Sequence, residues 1–432
     1  MFLFCAFCGE FLNPSDRKNT VFNALGESIW GFQAALVAPA TVLTVMLRDY
    51  GAGERMIGSI AAVESGAALL PQIIGIYLFT SHARRKMNLV LWHVLLMAPA
   101  MLAIALLTHF SDRIPPAVLR LAIIGCFGWF QFFMGIIVAV WMDWLAHLFA
   151  PAIRGTVFGI SWCASAVAGT GSGLLAGYIL KVYPHAAYTY LYLAAGVLVA
   201  VCMGSFAMIR DPAADQPDDR PRVTTADLLD SFRLSLLDRN FRAFIIGRVL
   251  TVAGFCIGPF IAIYYTSAAG GGLSNNAVVS FGAAMTVGMA VGNLGLGRLG
   301  DSCGHRIGIL LGAAVQVAAL IVMLVSAGRL SCMLAYFGAG LVGASGFLSH
   351  VNMLYETCPH DSRIAHITVA NFLMGVTMIV CPIASGFAAA QWGLPTLFAI
   401  CLAISVCAFV WLLLRLREPR ELKTEVEEAD SA

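Results

Sequence analysis

The sequence predicts an all-α polytopic membrane protein, with 12 transmembrane helices in two pseudo-symmetric six-helix bundles. Three observations predict it: an apolar composition, a one-sided distribution of basic residues and an internal repeat. Of the 432 residues, 59% are hydrophobic and only 12% are charged, against about 25% charged in soluble domains. A soluble globule of this composition would expose very large apolar patches. A cytosolic enzyme, a nucleic-acid binder and a disordered chain are therefore excluded. The formal net charge of +2 is too small to argue for a charged partner.

Apolar segments long enough to cross a bilayer as helices run at about 20–47, 56–80, 88–110, 117–142, 155–180 and 188–209. After a polar stretch they resume at about 243–265, 277–300, 307–327, 332–354, 364–390 and 395–414. An even count puts both termini on one side. Nineteen Lys and Arg fall on that side, six on the other, and Arg248 lies inside a span, which accounts for all 26. Basic residues accumulate in cytoplasmic segments, so both termini are expected in the cytosol and the chain in the cytoplasmic (inner) membrane. Arg17 and Lys18 precede the first span, and the short apolar run from Met1 to Phe7 has no signal-peptide cleavage pattern.

Five segments follow. They are a cytosolic tail (1–19), an N-terminal bundle (20–209), a cytosolic linker (210–242), a C-terminal bundle (243–414) and a second cytosolic tail (415–432). The linker holds prolines and many charges. Within it, 224–237 places Leu228, Leu229, Phe232, Leu236 and Leu237 on one side of an amphipathic helix. No cysteine falls in an outer loop, so no disulfide framework is implied. Cys5 and Cys8 form a lone C-x-x-C, at best half of a zinc site.

The halves echo one another. Asp16-Arg17 matches Asp238-Arg239, Pro39 matches Pro259, Gly75 matches Gly297, and Pro151 with Arg154 matches Pro359 with Arg363. The offsets of 222, 220, 222, 208 and 209 are constant within loop-length drift. Parallel repeats of this kind belong to alternating-access transporters.

The segment Gly297-Arg-Leu-Gly-Asp301-Ser-Cys-Gly304-His-Arg306 resembles the G-x-x-x-D-x-x-G-x-[RK] loop of the major facilitator superfamily. The resemblance extends over about 19–414. The N-terminal counterpart, Gly75 to Lys86, keeps the glycine and the basic cluster Arg84, Arg85 and Lys86, but has Phe79 and His82 at the aspartate and second glycine positions. Asp143, Pro151 and Arg154 after span four, and Glu356, Pro359 and Arg363 after span ten, resemble the family's acid-proline-arginine loops. The resemblance implies a cytosolic gate of Arg84, Arg85, Asp143, Arg154, Gly297, Asp301, Arg306, Glu356 and Arg363, with simple anchoring of helix ends as the plainer alternative. It also implies that spans five and eight pack together through Gly169, Gly173 and Gly177 and through Ala284, Gly288 and Gly292. The glycine-proline motif of the family's antiporters is not reproduced at 165–177.

Three ionisable residues lie deep within spans: Glu27, Glu64 and Arg248. A charge at the bilayer centre costs about 2.5–3.5 kcal/mol on insertion scales, so each needs a partner, a proton or a wet cavity. Glu27 and Arg248 stand 221 residues apart, at nearly equivalent repeat positions. They are expected either to meet directly or through an anionic solute, or to be satisfied each within its own bundle. Glu64 has no countercharge at matching depth, which makes it and Glu27 candidates for proton coupling. Gln33, Gln131, Tyr264 and Asn352 are further candidates for the cavity wall.

No HxxxH, HExxH or Met/His tract implies a metal, no P-loop implies ATP, and no cofactor is expected. The expected function is a secondary active transporter of a small solute, working as a monomer in the lipid bilayer by alternating access, with the proton as candidate coupling ion. The alternative is a non-transporting scaffold or solute sensor on the same fold.

Overall fold

Proline marks three of the places where the long apolar runs of this chain break. It supplies no N–H to a helix and its ring clashes with the preceding turn, and in the computed structural model Pro39, Pro99 and Pro259 stand in or just after the interruptions of spans one, three and seven. The structure describes residues 14–69, 71, 82–149, 151–211, 237–357 and 363–421, and every regular element among them is helical. The C-x-x-C pair, the loop segment from Gly75 to Phe79 and the amphipathic stretch 224–237 lie outside the described residues.

In the first half, α1 (Pro14–Leu36) is separated from α2 (Thr44–Asp49) by a π-turn at Pro39–Leu43. Next come α3 (Glu54–Leu69), then α4 (His82–Trp92), a π-turn at His93–Met97, and α5 (Ala98–His109), whose second residue is Pro99. The half closes with α6 (Pro116–Leu148), α7 (Pro151–Val182) and α8 (Ala187–Ala207).

The second half repeats the plan. Asp238 caps α9 (Arg239–Gly254) by accepting the Phe241 N–H at 2.7 Å. The chain breaks before α10 (Gly258–Thr266), which carries Pro259 in its first turn. It continues through α11 (Asn275–Phe281), α12 (Ala283–Cys303), α13 (Arg306–Val325) and α14 (Arg329–Ala344). After a π-turn at Ser345–Ser349 come α15 (His350–Thr357), α16 (Arg363–Trp392) and α17 (Leu394–Arg415). Eleven stretches among the described residues are long and apolar enough to cross a membrane. Of the second expected span, mainly α3 is described.

The chain forms two compact units: Met1–Ala52, Val63–Arg220 and Asn275–Ala283 in one, and Gly53–Ala62, Pro221–Ser274 and Ala284–Ala432 in the other. Small residues set the closest approaches within each, as expected where van der Waals packing drives helix association. In the first unit, Gly31 of α1 faces Ser165 of α7, and the Ser172 hydroxyl donates to the Phe32 carbonyl at 2.5 Å. Gly173 and Gly177 of α7 face Ala283, Ser280 and Asn276. Gly288 and Gly292, expected on that same contact, lie instead against Phe337, Leu341 and Ala344 of α14 in the second unit. The helical register turns them onto a neighbour within their own half.

The core of the second unit joins Phe241, Phe244, Ile309, Met353, Val369 and Leu412, all fully buried. Where α9 ends, the Thr251 carbonyl receives a bond from the Gln316 amide at 2.9 Å, and the same amide donates to Ser405 at 2.7 Å. An interrupted helix leaves carbonyls without their usual partners, and in a bilayer these must be satisfied inside the protein. Gln316 does this for the break in span seven.

Candidate functional site

Glu27 lies on α1, with the Trp141 indole of α6 as its polar neighbour. Rings wall this part of the first unit. Trp30 meets His93 edge-on at 5.6 Å and stacks on Phe130 at 6.2 Å, while His93 meets Trp141 at 6.0 Å. The His93 Nδ1 contacts the Leu89 carbonyl at 2.7 Å. A carbonyl only accepts, so the proton sits on Nδ1. Two turns further along, Gln33 is buried and its Oε1 has no partner among the described residues. Gln131 is half-buried on α6, and Glu64 is half-buried on α3 with no hydrogen-bond partner among the described residues.

Arg248 is 5% exposed and His350 9%. The guanidinium Nε donates to the His350 Nδ1 at 3.2 Å, and the imidazole stacks on Phe244 at 5.3 Å between centroids. Glu27 and Arg248 thus each hold a neutral partner within their own unit. Tyr264 packs edge-on against Tyr265 and Phe398, as a core residue does. The Asn352 amide is spent on the Leu348 carbonyl one turn back in its own span, at 3.0 Å.

The helix ends carry a second polar set. Gly297 is described, and the nearest side chain to its open face is Leu348. Arg84, Arg85, Asp143, Arg154, Asp301 and Arg363 stand in described helices, but their side chains lie outside the described structure. Arg306 and Glu356 have partners from the last turn of α17 and the segment that follows it. The Arg306 guanidinium donates to the Leu413 carbonyl at 3.0 Å, and its backbone N–H donates to the Glu418 carboxylate at 3.0 Å. Glu356 pairs with Arg420 at 2.7 Å. A cation at a helix C-terminus and an anion at an N-terminus both satisfy the exposed peptide groups and the helix dipole, and here one loop uses both.

The first half repeats this with different side chains. The Lys86 ammonium donates to the carbonyls of Ala207 and Ile209 at 3.1 and 2.9 Å. Asp211, the counterpart of Glu418, accepts from the Trp144 indole at 2.8 Å. Asn19 exchanges two hydrogen bonds with the backbone of Arg210, both 2.9 Å. Asn240 does the same with Arg417, at 3.2 and 2.9 Å.

Composition, charge and span pattern do not single out these clamps. Their signal is short but present: Ile209-Arg-Asp-Pro212 after the sixth span returns as Leu416-Arg-Glu-Pro419 after the twelfth. Asn19 and Asn240 stand just beyond the matched Asp-Arg pairs.

The repeat, the broken spans and the paired helix-end clamps define a multi-pass helical membrane protein with eleven membrane-length helices among the described residues. Its fold is the all-α polytopic fold of the Major Facilitator Superfamily, and residues 244–431 match that family's model. The chain is similar in structure to the nucleoside transporter NupG, with a TM-score of 0.66 at 14% identity, over 93% of this chain and 99% of that one. A POT family transporter in complex with 5-aminolevulinic acid gives 0.69 at 10% identity, over 94% and 96%. A bacterial homologue of the iron transporter ferroportin, in an inward-facing state, gives 0.64 at 15% identity, over 93% and 99%. No curated protein matches the sequence. At these identities the likeness concerns the fold.

Proposed function

We propose that the chain is a secondary active transporter that moves a small solute across the cytoplasmic membrane by alternating access, with both termini in the cytosol. The duplicated helix-end clamp supports this reading. Asn19 with Arg210 and Asn240 with Arg417 tie the first span of each half to the end of its sixth. Each half is thereby fastened into a body of its own, which rigid-body alternating access requires. The names of the structural neighbours agree, since NupG, the POT family protein and the ferroportin homologue are each described as transporters or as homologues of one.

Glu64, half-buried and without a partner among the described residues, is the proposed proton-coupling group, with Glu27 as the second carboxylate. Gln33, Gln131 and Arg248 are proposed for the solute. Arg84, Arg85, Asp143, Arg154, Gly297, Asp301, Arg306, Glu356 and Arg363 are proposed to organise the cytosolic ends of the spans, and a monomer is the proposed working unit.

Solute counterflow in sealed proteoliposomes tests the reading, first with a pH gradient and then with the gradient collapsed. Flux that the gradient accelerates, and that Glu64→Gln makes insensitive to it, is the expected result. A folded protein that moves no solute and instead retains a partner protein would establish the scaffold alternative.

A further inference from the structure

The Arg248–His350 pair has more donors than the protein uses. Arg248 has five N–H groups and accepts nothing. Its one hydrogen bond among the described residues runs from Nε to the His350 Nδ1, and no described carboxylate pairs with it. That bond also fixes the histidine. A ring nitrogen that accepts from a guanidinium carries no proton, so the proton of the neutral ring sits on Nε2 and makes that atom a donor. The face of the ring is held by Phe244.

The backbone opposite is cleared as well. Gly346, inside the π-turn at Ser345–Ser349, presents no side chain where an added Cβ would lie 3.4 Å from the Arg248 Nη2. Short π-turns within helices frequently mark functional sites, and this one ends at the residue before His350. Among the described residues, a buried guanidinium with both Nη groups unspent, a histidine with its Nε2–H unspent and an opening made by glycine together form a donor set without an acceptor.

We propose that Arg248 and His350 form an oxyanion-recognition site in the second unit, and that the transported solute carries a carboxylate or phosphate group. A planar guanidinium grips two oxygens of such a group side by side, and the His350 Nε2–H supplies a third donor. This assignment rests on the transport reading above and adds to it the chemical class of the solute.

The test uses the full-length protein in detergent and follows thermal unfolding against short mono- and dicarboxylates, inorganic phosphate and sugar phosphates. Each carboxylate is paired with its neutral amide, and each sugar phosphate with its unphosphorylated sugar. The expected result is a concentration-dependent rise in Tm with carboxylates or phosphates and none with the neutral counterparts. Arg248→Gln should abolish the rise, and Arg248→Lys should weaken apparent affinity at least 10-fold, since an ammonium cannot make the bidentate pair.

If Arg248→Gln does not fold, Gly346→Ala replaces it. Its added methyl sits at ordinary contact distance from Nη2 and should weaken anion affinity several-fold with the unfolding profile otherwise kept. Equal stabilisation by neutral counterparts, or anion binding unchanged in these variants, overturns the site. A separate arm adds phosphatidylglycerol in nanodiscs, and a response to the lipid alone would make a headgroup the anion and overturn the solute assignment. Flux of a neutral solute that survives Arg248→Gln would overturn the site and leave the transport reading intact. Anion binding without any flux would do the reverse.

Discussion

Asn240 holds Arg417 by both ends of its amide, donating to the Arg417 carbonyl and accepting the Arg417 N–H. Asn19 holds Arg210 in the same way, so one four-atom device closes both halves of the chain. The two copies differ in setting. Asn19 is 4% exposed, while the Asn240 bonds are open to solvent. Removing one partner of a buried hydrogen bond leaves an unsatisfied group and costs about 1–3 kcal/mol, whereas an open one is replaced by water. Asn19→Ala should therefore destabilise by about 1–3 kcal/mol and Asn240→Ala by under about 1 kcal/mol. Unfolding curves of the two variants, side by side in one detergent, check the order. Equal losses would show that the clamps are equivalent in energy.

Gly304 and Glu418 form a second fixed relationship. Gly304 has φ of +84°, and a Cβ there would overlap the Glu418 carboxylate, which is itself 4% exposed. The left-handed conformation alone costs an L-residue about 1–2 kcal/mol. Gly304→Ala should destabilise by at least that amount, because it also drives Glu418 away from the Arg306 N–H. In the double variant with Glu418→Ala the overlap is gone and only the backbone cost is left. A double-mutant cycle should therefore show the combined loss to be smaller than the two single losses added. Strict additivity would mean that the two residues do not touch in solution.

Glu356 and Arg420 look similar on paper but differ in energy. Their side chains are 23% and 43% exposed, and exposed ion pairs contribute about 0.2–1 kcal/mol. Glu356→Gln and Arg420→Ala should each change stability by less than about 1 kcal/mol, and high salt should shrink the difference. A transport defect in either variant, with stability unchanged, would assign the pair to the transport cycle. An unfolding shift well beyond that range would make it a structural anchor.

The reading of the sequence was strongest where one-dimensional pattern maps directly onto structure. Apolar run length located the eleven membrane-length stretches seen among the described residues, whereas the Pro39–Pro259 match marked the repeat without announcing the breaks at those prolines in spans one and seven. It was weaker where three-dimensional register decides. Gly288 and Gly292 recur at helical spacing, but spacing does not say which neighbour a face meets, and they meet α14. The partner of Arg248 was equally hidden. A neutral histidine 102 residues away satisfies its Nε, and charge counting does not register a neutral acceptor. The Asn clamps escaped because a single amide bonding to backbone leaves no pattern in composition, charge or hydropathy. Only alignment of the two Arg-acid-Pro turns brings them out.

Two glycines separate close packing from helix propensity. Gly340 of α14 lies so near α12 that a Cβ would strike the Met285 carbonyl and the Met289 backbone nitrogen. These are backbone atoms, so no side-chain rotation relieves the overlap. Gly340→Ala must push α14 off α12, and overpacking of this kind costs about 1–3 kcal/mol. Gly171 of α7 has nothing within 4 Å of its Cβ position. There the substitution removes only the conformational freedom of glycine, and Gly171→Ala should be neutral or stabilising by up to about 1 kcal/mol. The two variants change the same atoms in the same kind of helix, so a difference in Tm of opposite sign isolates the contact with α12. If Gly340→Ala unfolds at the wild-type temperature, α12 and α14 do not approach as closely as their glycines allow, and the register that brings Gly288 and Gly292 onto α14 is wrong as well.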